Sequence, residues 1–280
     1  MKKLLAFTLA LAMLAIALTG CSSTPKANTS YRVMDESLDA EEYGIGFRNE
    51  DIALGVAVQQ TLDEMIADGT AAEISKKWFG EDLLYKSDNY IEDATVKADD
   101  DSLKKIQARG TFILGLDDSF PPMGFRDDSN NIVGLDIDLA TEVCKRLGVE
   151  LVLQPIDWDS KELELSTGKI DCIWNGMTIT DERIDTMFIP KPYIANRQVV
   201  IVGNTYSGDG LASLKGKTVG LQKGSSSLEA LEKNKEVHDS VKSITEYDNN
   251  VNAFLDLKAG RIQALVVDEV AGRYIMENHK

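Results

Sequence analysis

From residue 102 onward, short apolar runs alternate with stretches of helical period, and this alternation restricts the fold more than any other feature of the chain. Thr111 to Leu116, Val149 to Leu153, Ile170 to Trp174, Gln198 to Val202, Thr218 to Leu221 and Ile262 to Val267 read as strands. Between them, Leu135, Leu139, Val143 and Leu147 recur on one face of a helix over 135–147. Further helices fit 159–167, 226–234, 248–259 and 269–277. Strand, helix, strand, helix predicts α/β layers around a mostly parallel sheet. Ahead of this region lie two strand-like pieces, Tyr31 to Met34 and Tyr43 to Phe47. Leu54, Val58, Leu62 and Met65 mark a helix over 50–67, ended by Asp68 and Gly69, and a shorter helix over 71–79 closes at Gly80. Residues 86–101 are polar, finish on three aspartates and read as a linker.

The front of the chain bears on its compartment. Lys2 and Lys3 precede an apolar run from Leu4 to Leu18, the length of a signal core and too short for a comfortable membrane span. Leu18, Thr19, Gly20 and Cys21 follow, and this stretch resembles the bacterial lipobox. In proteins that carry a lipobox, the signal is cut before the cysteine and its thiol takes a diacylglycerol. The expectation is a signal peptide over 1–20, lipid attachment at Cys21 and a Ser/Thr/Pro-rich tether over 21–30. Such a chain is extracytoplasmic and anchored to the cell membrane through the lipid alone. The plainer reading is an ordinary signal peptide with a chance cysteine. No later run reaches eighteen apolar residues, and residues 21–280 are long enough for two domains.

A net charge of −16 leaves no basic patch to displace counterions, which argues against a nucleic-acid partner. Besides Cys21 only Cys144 and Cys172 remain, either as free thiols or as one bridge, and this is no disulfide framework. Two histidines and no Cys/His cluster give no basis for a metal site, and no cofactor motif is present.

Three segments carry groups suited to a free amino acid, whose ammonium needs a buried carboxylate and whose carboxylate needs an Arg fork with backbone N–H groups. Residues 175–183 follow a strand and join Asn175, Gly176 and Thr178 to Arg183 through the helix-capping types Thr180 and Asp181. Residues 222–227 form a Gly/Ser loop between strand and helix, holding Gln222, Ser225 and Ser226. Asp268 ends an apolar strand, where open α/β sheets place their sites. Taken singly, Arg183 is a surface helix residue, the serines a turn and Asp268 an N-cap. Spacing alone therefore stops at a two-domain α/β binding protein or enzyme.

Residues 102–280 resemble the polar amino-acid family of bacterial extracellular solute-binding proteins (family 3 type). The resemblance rests on residues 115–125, 134–140, 168–171, 177–183 and 214–220 taken together. It implies a two-lobed, type II periplasmic-binding-protein-like α/β fold with two hinge strands. It implies that Arg183 grips the ligand carboxylate, aided by Asn175, Gly176 and Thr178, with a further N–H near Ser225 or Ser226. Asp268 would hold the ammonium, Phe120 would stack on the ligand with Trp158 opposite, and Asp117 and Gln222 would read the side chain. The implied function is delivery of a polar amino acid to an ABC-type import permease by a monomeric protein that is not an enzyme. Glutamine-like, basic and sulfur-containing ligands all remain open. The alternatives are an amino-acid sensor acting with a separate membrane partner, or a dehydratase on the same fold.

The order of the segments departs from the family. Words that close a family chain stand at the front here, in residues 43–48, 67–70 and 74–80. Circular permutation is the expected explanation, with 86–101 joining the old ends. It places one lobe at 43–196, including that linker, and the other at 31–42 plus 197–280, with hinge crossings near 41–47 and 193–199.

Overall fold

The computed structural model describes residues 31–278, so the expected signal peptide, Cys21 and the tether lie outside the described residues. The chain opens with β1 (Tyr31–Val33) and β2 (Asp39–Gly46), then α1 (Ile52–Asp68), α2 (Thr70–Phe79) and α3 (Ser102–Arg109). A second group follows: β3 (Thr111–Leu116), β4 (Ser119–Phe120), β5 (Gly124–Arg126), β6 (Ile132–Val133), α4 (Leu135–Leu147), β7 (Glu150–Pro155) and α5 (Lys161–Ser166). Next come β8 (Cys172–Thr178), α6 (Asp181–Thr186), β9 (Pro192–Gly203), β10 (Thr218–Gln222), α7 (Ser227–Lys233) and α8 (Lys235–His238). The last elements are β11 (Ser243–Tyr247), α9 (Asn250–Lys258), β12 (Ala264–Asp268) and α10 (Glu269–Asn278).

One curled sheet runs in the order β11-β10-β12-β9-β2-β8-β3-β7, with β1 added to β9. Its two ends are parallel: β11, β10 and β12 on one side, β8, β3 and β7 on the other. The middle is antiparallel. β9 pairs with β2 through Pro192 to Gln198, then with β12 and β1 through Gln198 to Gly203. Thus β9 and β2 are the strands that pass from one side of the molecule to the other.

The helical faces read from the sequence are the faces that pack. Leu54, Val58, Leu62 and Met65 of α1 are fully buried, as are Leu135, Leu139 and Val143 of α4. Each such side chain contributes about 1.5–3 kcal/mol when removed from water. Helix α1 ends because Gly69 takes a left-handed turn at φ 87° that other residues resist. Cys144 and Cys172 are free and buried, so they pack as small apolar groups. Residues 86–101 run over the surface of the β8 side. Ile91 N donates to Pro190 O at 2.9 Å, and Asp100 Oδ2 accepts from Ala53 N at 2.7 Å.

Candidate functional site

The strands deliver the polar residues to one place. β3 ends at Leu116 and releases Asp117, whose own N–H donates to Asn175 Oδ1 on β8 at 3.0 Å. Asp117 Oδ1 accepts from Ser119 N at 2.9 Å, and Oδ2 accepts from Gln222 Nε2 at 2.7 Å. Gln222 ends β10, so this last bond joins the two sides of the sheet. Asn250 Nδ2 holds the other end of the Gln222 amide at 2.9 Å. Burial raises the Asp117 carboxyl above its ordinary value, while the bonds from Ser119 and Gln222 pull it back.

Thr180 caps α6, its Oγ1 accepting from Arg183 N at 3.3 Å, which turns the Arg183 side chain inward. The guanidinium is buried. Nη1 donates to Thr178 O at 2.6 Å, and Nη2 donates to Gly224 O across the cleft at 3.2 Å. Lys161 Nζ donates to the same Gly224 carbonyl at 3.0 Å and lies 5.1 Å from the centre of the Trp158 ring. At Gly224, φ is 68° and an added Cβ would come within 2.8 Å of the Asp159 backbone. Only glycine lets the loop and Asp159 approach this closely.

A narrow cavity lies between these groups, lined by Asp117, Phe120, Trp158, Asn175, Gly176, Arg183, Gln222, Ser225, Ser226 and Asp268. Ten of the eleven residues singled out from the sequence therefore share one cavity. Thr178 sits beneath it instead. Its carbonyl holds Arg183, and its hydroxyl lies 2.9 Å from Ser226 Oγ and donates to Glu41 Oε2 at 3.0 Å. Asn175 Nδ2 is buried without a partner among the described residues, a donor left over beside the cavity.

A second tier holds the wall in place. Asp136, fully buried at the start of α4, accepts from Gly176 N at 2.7 Å and from Tyr193 Oη at 2.9 Å. Burial pushes its carboxyl up to about 7. Gly176 has φ 56°, and an added Cβ would meet Phe120 Cε1 at 2.8 Å.

Sequence reasoning missed the floor. Glu41 and Tyr43 alternate on β2 and face Asp268. Tyr43 Oη donates to Asp268 Oδ1 at 2.7 Å, and Asn196 Nδ2 of β9 reaches Tyr43 Oη at 2.8 Å, Glu41 Oε1 at 2.5 Å and Asp268 Oδ1 at 3.1 Å. The period-two spacing of Glu41 and Tyr43 was the available signal, obscured because Asp39 to Glu42 is three acids around a single alanine.

The site therefore presents a buried Arg and a buried Asp in one small cavity, between aromatic rings. Chemically it can hold a small molecule bearing a carboxylate and a cation.

Comparison with known proteins gives the chain its relatives. The model of the bacterial extracellular solute-binding proteins, family 3, matches residues 112–256. The L-cystine-binding protein TcyJ of Escherichia coli (strain K12) is 34% identical over 176 residues, 62% of this chain and 65% of that protein. The chain thus spans less than two thirds of that relative's length. A structure of an ABC uptake transporter substrate-binding protein from Streptococcus pneumoniae with bound histidine is 38% identical at a TM-score of 0.62. It covers 64% of this chain and 74% of that one. The arginine-bound form of truncated ArgBP from T. maritima is 37% identical at a TM-score of 0.58, covering 63% and 82%. These neighbours share the two-sided α/β architecture described above. The chain belongs to the bacterial extracellular solute-binding proteins, family 3.

Proposed function

We propose that this chain binds a free polar amino acid between the two sides of its sheet and delivers it to an ABC-type import permease. The observation that carries the reading is the pairing of buried Arg183 with buried Asp268 on the wall of one cavity. Arg183 has donors left after serving two carbonyls and takes the ligand carboxylate. Asp268 takes the ammonium, Phe120 and Trp158 exclude water, and Asn175, Gly176, Ser225 and Ser226 supply polar contacts. Asp117 and Gln222 face the ligand side chain. Relatives named for cystine, arginine and histidine support this ligand class.

Residues 43–196 act as one lobe, and 31–42 with 197–280 as the other, closing about β2 and β9. The protein works as a monomer held at the outer face of the membrane by lipid on Cys21. The segment order is a circular permutation. In support, residues 39–46 form a central strand of the sheet although they precede every strand it pairs with. The stretch matched in TcyJ, 176 residues, is close in length to residues 102–280.

The test is calorimetric titration of residues 22–280 with the twenty amino acids and L-cystine. One-to-one binding of a narrow set, lost in Arg183→Ala, is expected. A folded, ligand-stripped protein that binds none of them contradicts the reading. For the permutation, a chain rebuilt as 102–278 followed by 31–85 is expected to fold and bind the same ligand. Failure of that chain to fold would count against it.

A further inference from the structure

Glu41 is the least expected charged group near the cavity. It keeps some exposed surface, yet both carboxyl oxygens are enclosed. Oε1 accepts from Asn196 Nδ2 at 2.5 Å and Gln198 Nε2 at 3.1 Å. Oε2 accepts from Thr178 Oγ1 at 3.0 Å and Ser226 Oγ at 3.2 Å. Thr178 belongs to the β8 side and Ser226 to the β10 side, while Asn196 and Gln198 lie on β9. One carboxyl therefore touches both sides of the cleft and a strand that connects them.

Its other neighbour is Asp268. The Asn196 amide nitrogen reaches both carboxyls, so two acids crowd one donor group. The charged or titratable groups facing Glu41 are Asp268 on β12, Arg183 on α6 and Tyr43 on its own strand. Among the described residues, β8, β9 and the loop before α7 present the uncharged Thr178, Asn196, Gln198 and Ser226 to it. Two like charges this close in a desolvated site do not both ionise readily.

Resting on the amino-acid reading above, we propose that Glu41 is a positioning residue for the ammonium subsite, holding a proton beside Asp268 in the free protein and releasing it to solvent when the ligand's ammonium docks. The ammonium supplies the positive charge that the proton supplied, so Glu41 ionises while the net charge of the ammonium subsite stays the same. Burial, and then the charge of Asp268, raise the Glu41 carboxyl well above its ordinary value, which places the exchange closer to neutrality. Ligand affinity then rises with pH until Glu41 is ionised in the free protein, by up to about tenfold per pH unit for one proton released.

The experiment is titration calorimetry on residues 22–280 in buffers of different ionisation enthalpy across the acid to neutral range. L-glutamine, L-arginine and L-cystine are the first probes. The expected result is release of a proton by the wild type and loss of both the release and the pH dependence in Glu41→Gln. Asp136→Asn, which removes the other strongly shifted buried acid, is expected to keep both. Wild-type binding without proton release overturns the proposal, and this needs no variant. So does release that persists in Glu41→Gln or vanishes only in Asp136→Asn. Absence of binding at every pH instead overturns the amino-acid reading itself, and this inference with it.

Discussion

Arg183→Lys separates a fork from a point charge at the same position. Arginine offers five N–H donors, and here one donates to Thr178 O and another to Gly224 O. Three remain, enough for a two-bond grip on a carboxylate. Lysine offers three donors on one nitrogen. If it serves the same two carbonyls, one donor is left for the ligand. The substitution thus removes at least one hydrogen bond to a charged group, about 1.5–3 kcal/mol. That corresponds to about a 10- to 150-fold rise in Kd. Calorimetry on wild type and variant measures it, with a thermal melt to confirm that the variant folds. A folded Arg183→Lys protein that binds within about threefold of wild type would refute the argument, because a bidentate site does not accept lysine at that cost.

Other substitutions test other parts of the site. Asp268→Asn removes the ammonium's countercharge and is expected to weaken binding by about 2–5 kcal/mol, read by the same titration. Gly176→Ala forces a left-handed residue against Phe120 and should cost about 1–3 kcal/mol of stability by chemical denaturation, with weaker binding. Asp136 moves from 3.8 to about 7 on folding, so the folded chain holds a proton that the unfolded chain releases. Its contribution to stability therefore falls as pH rises from about 4 to about 7, by up to about 4 kcal/mol. Asp136→Asn keeps acceptors for Gly176 and Tyr193 but cannot ionise. Denaturation at pH 5 and 7.5 should show a shallower loss in the variant, and an unchanged slope would contradict the assignment.

Strands with continuous apolar runs were legible in the sequence, as were helices with a clear buried face. Thr111 to Leu116 and Leu135 to Leu147 form the elements their patterns predict. The small sheet of β4, β5 and β6 was not legible, because strands of two or three residues carry no period. β8 runs to Thr178 rather than stopping at Trp174, and β9 begins at Pro192 rather than Gln198. In both, the added residues include Gly, Asn or Pro, which local propensity assigns to turns, and pairing with β2 overrides it. The start of β2 was hidden for a related reason. Asp39, Glu41 and Glu42 look like a loop, and Glu41 is tolerated in a strand because four polar side chains enclose it. The cavity residues were found through motif resemblance, since Arg183, the serine loop and Asp268 each have a plainer local role. What the motifs could not supply was Glu41, which has meaning only once β2 is laid between β8 and β9.

The most direct measurement is a crystal structure of residues 22–280 with the amino acid that the titration identifies. The account predicts its carboxylate on the Arg183 guanidinium, its ammonium against Asp268, and its side chain between Phe120 and Trp158 toward Asp117 and Gln222. An amino acid bound elsewhere, or in this cavity with its carboxylate away from Arg183, would contradict it.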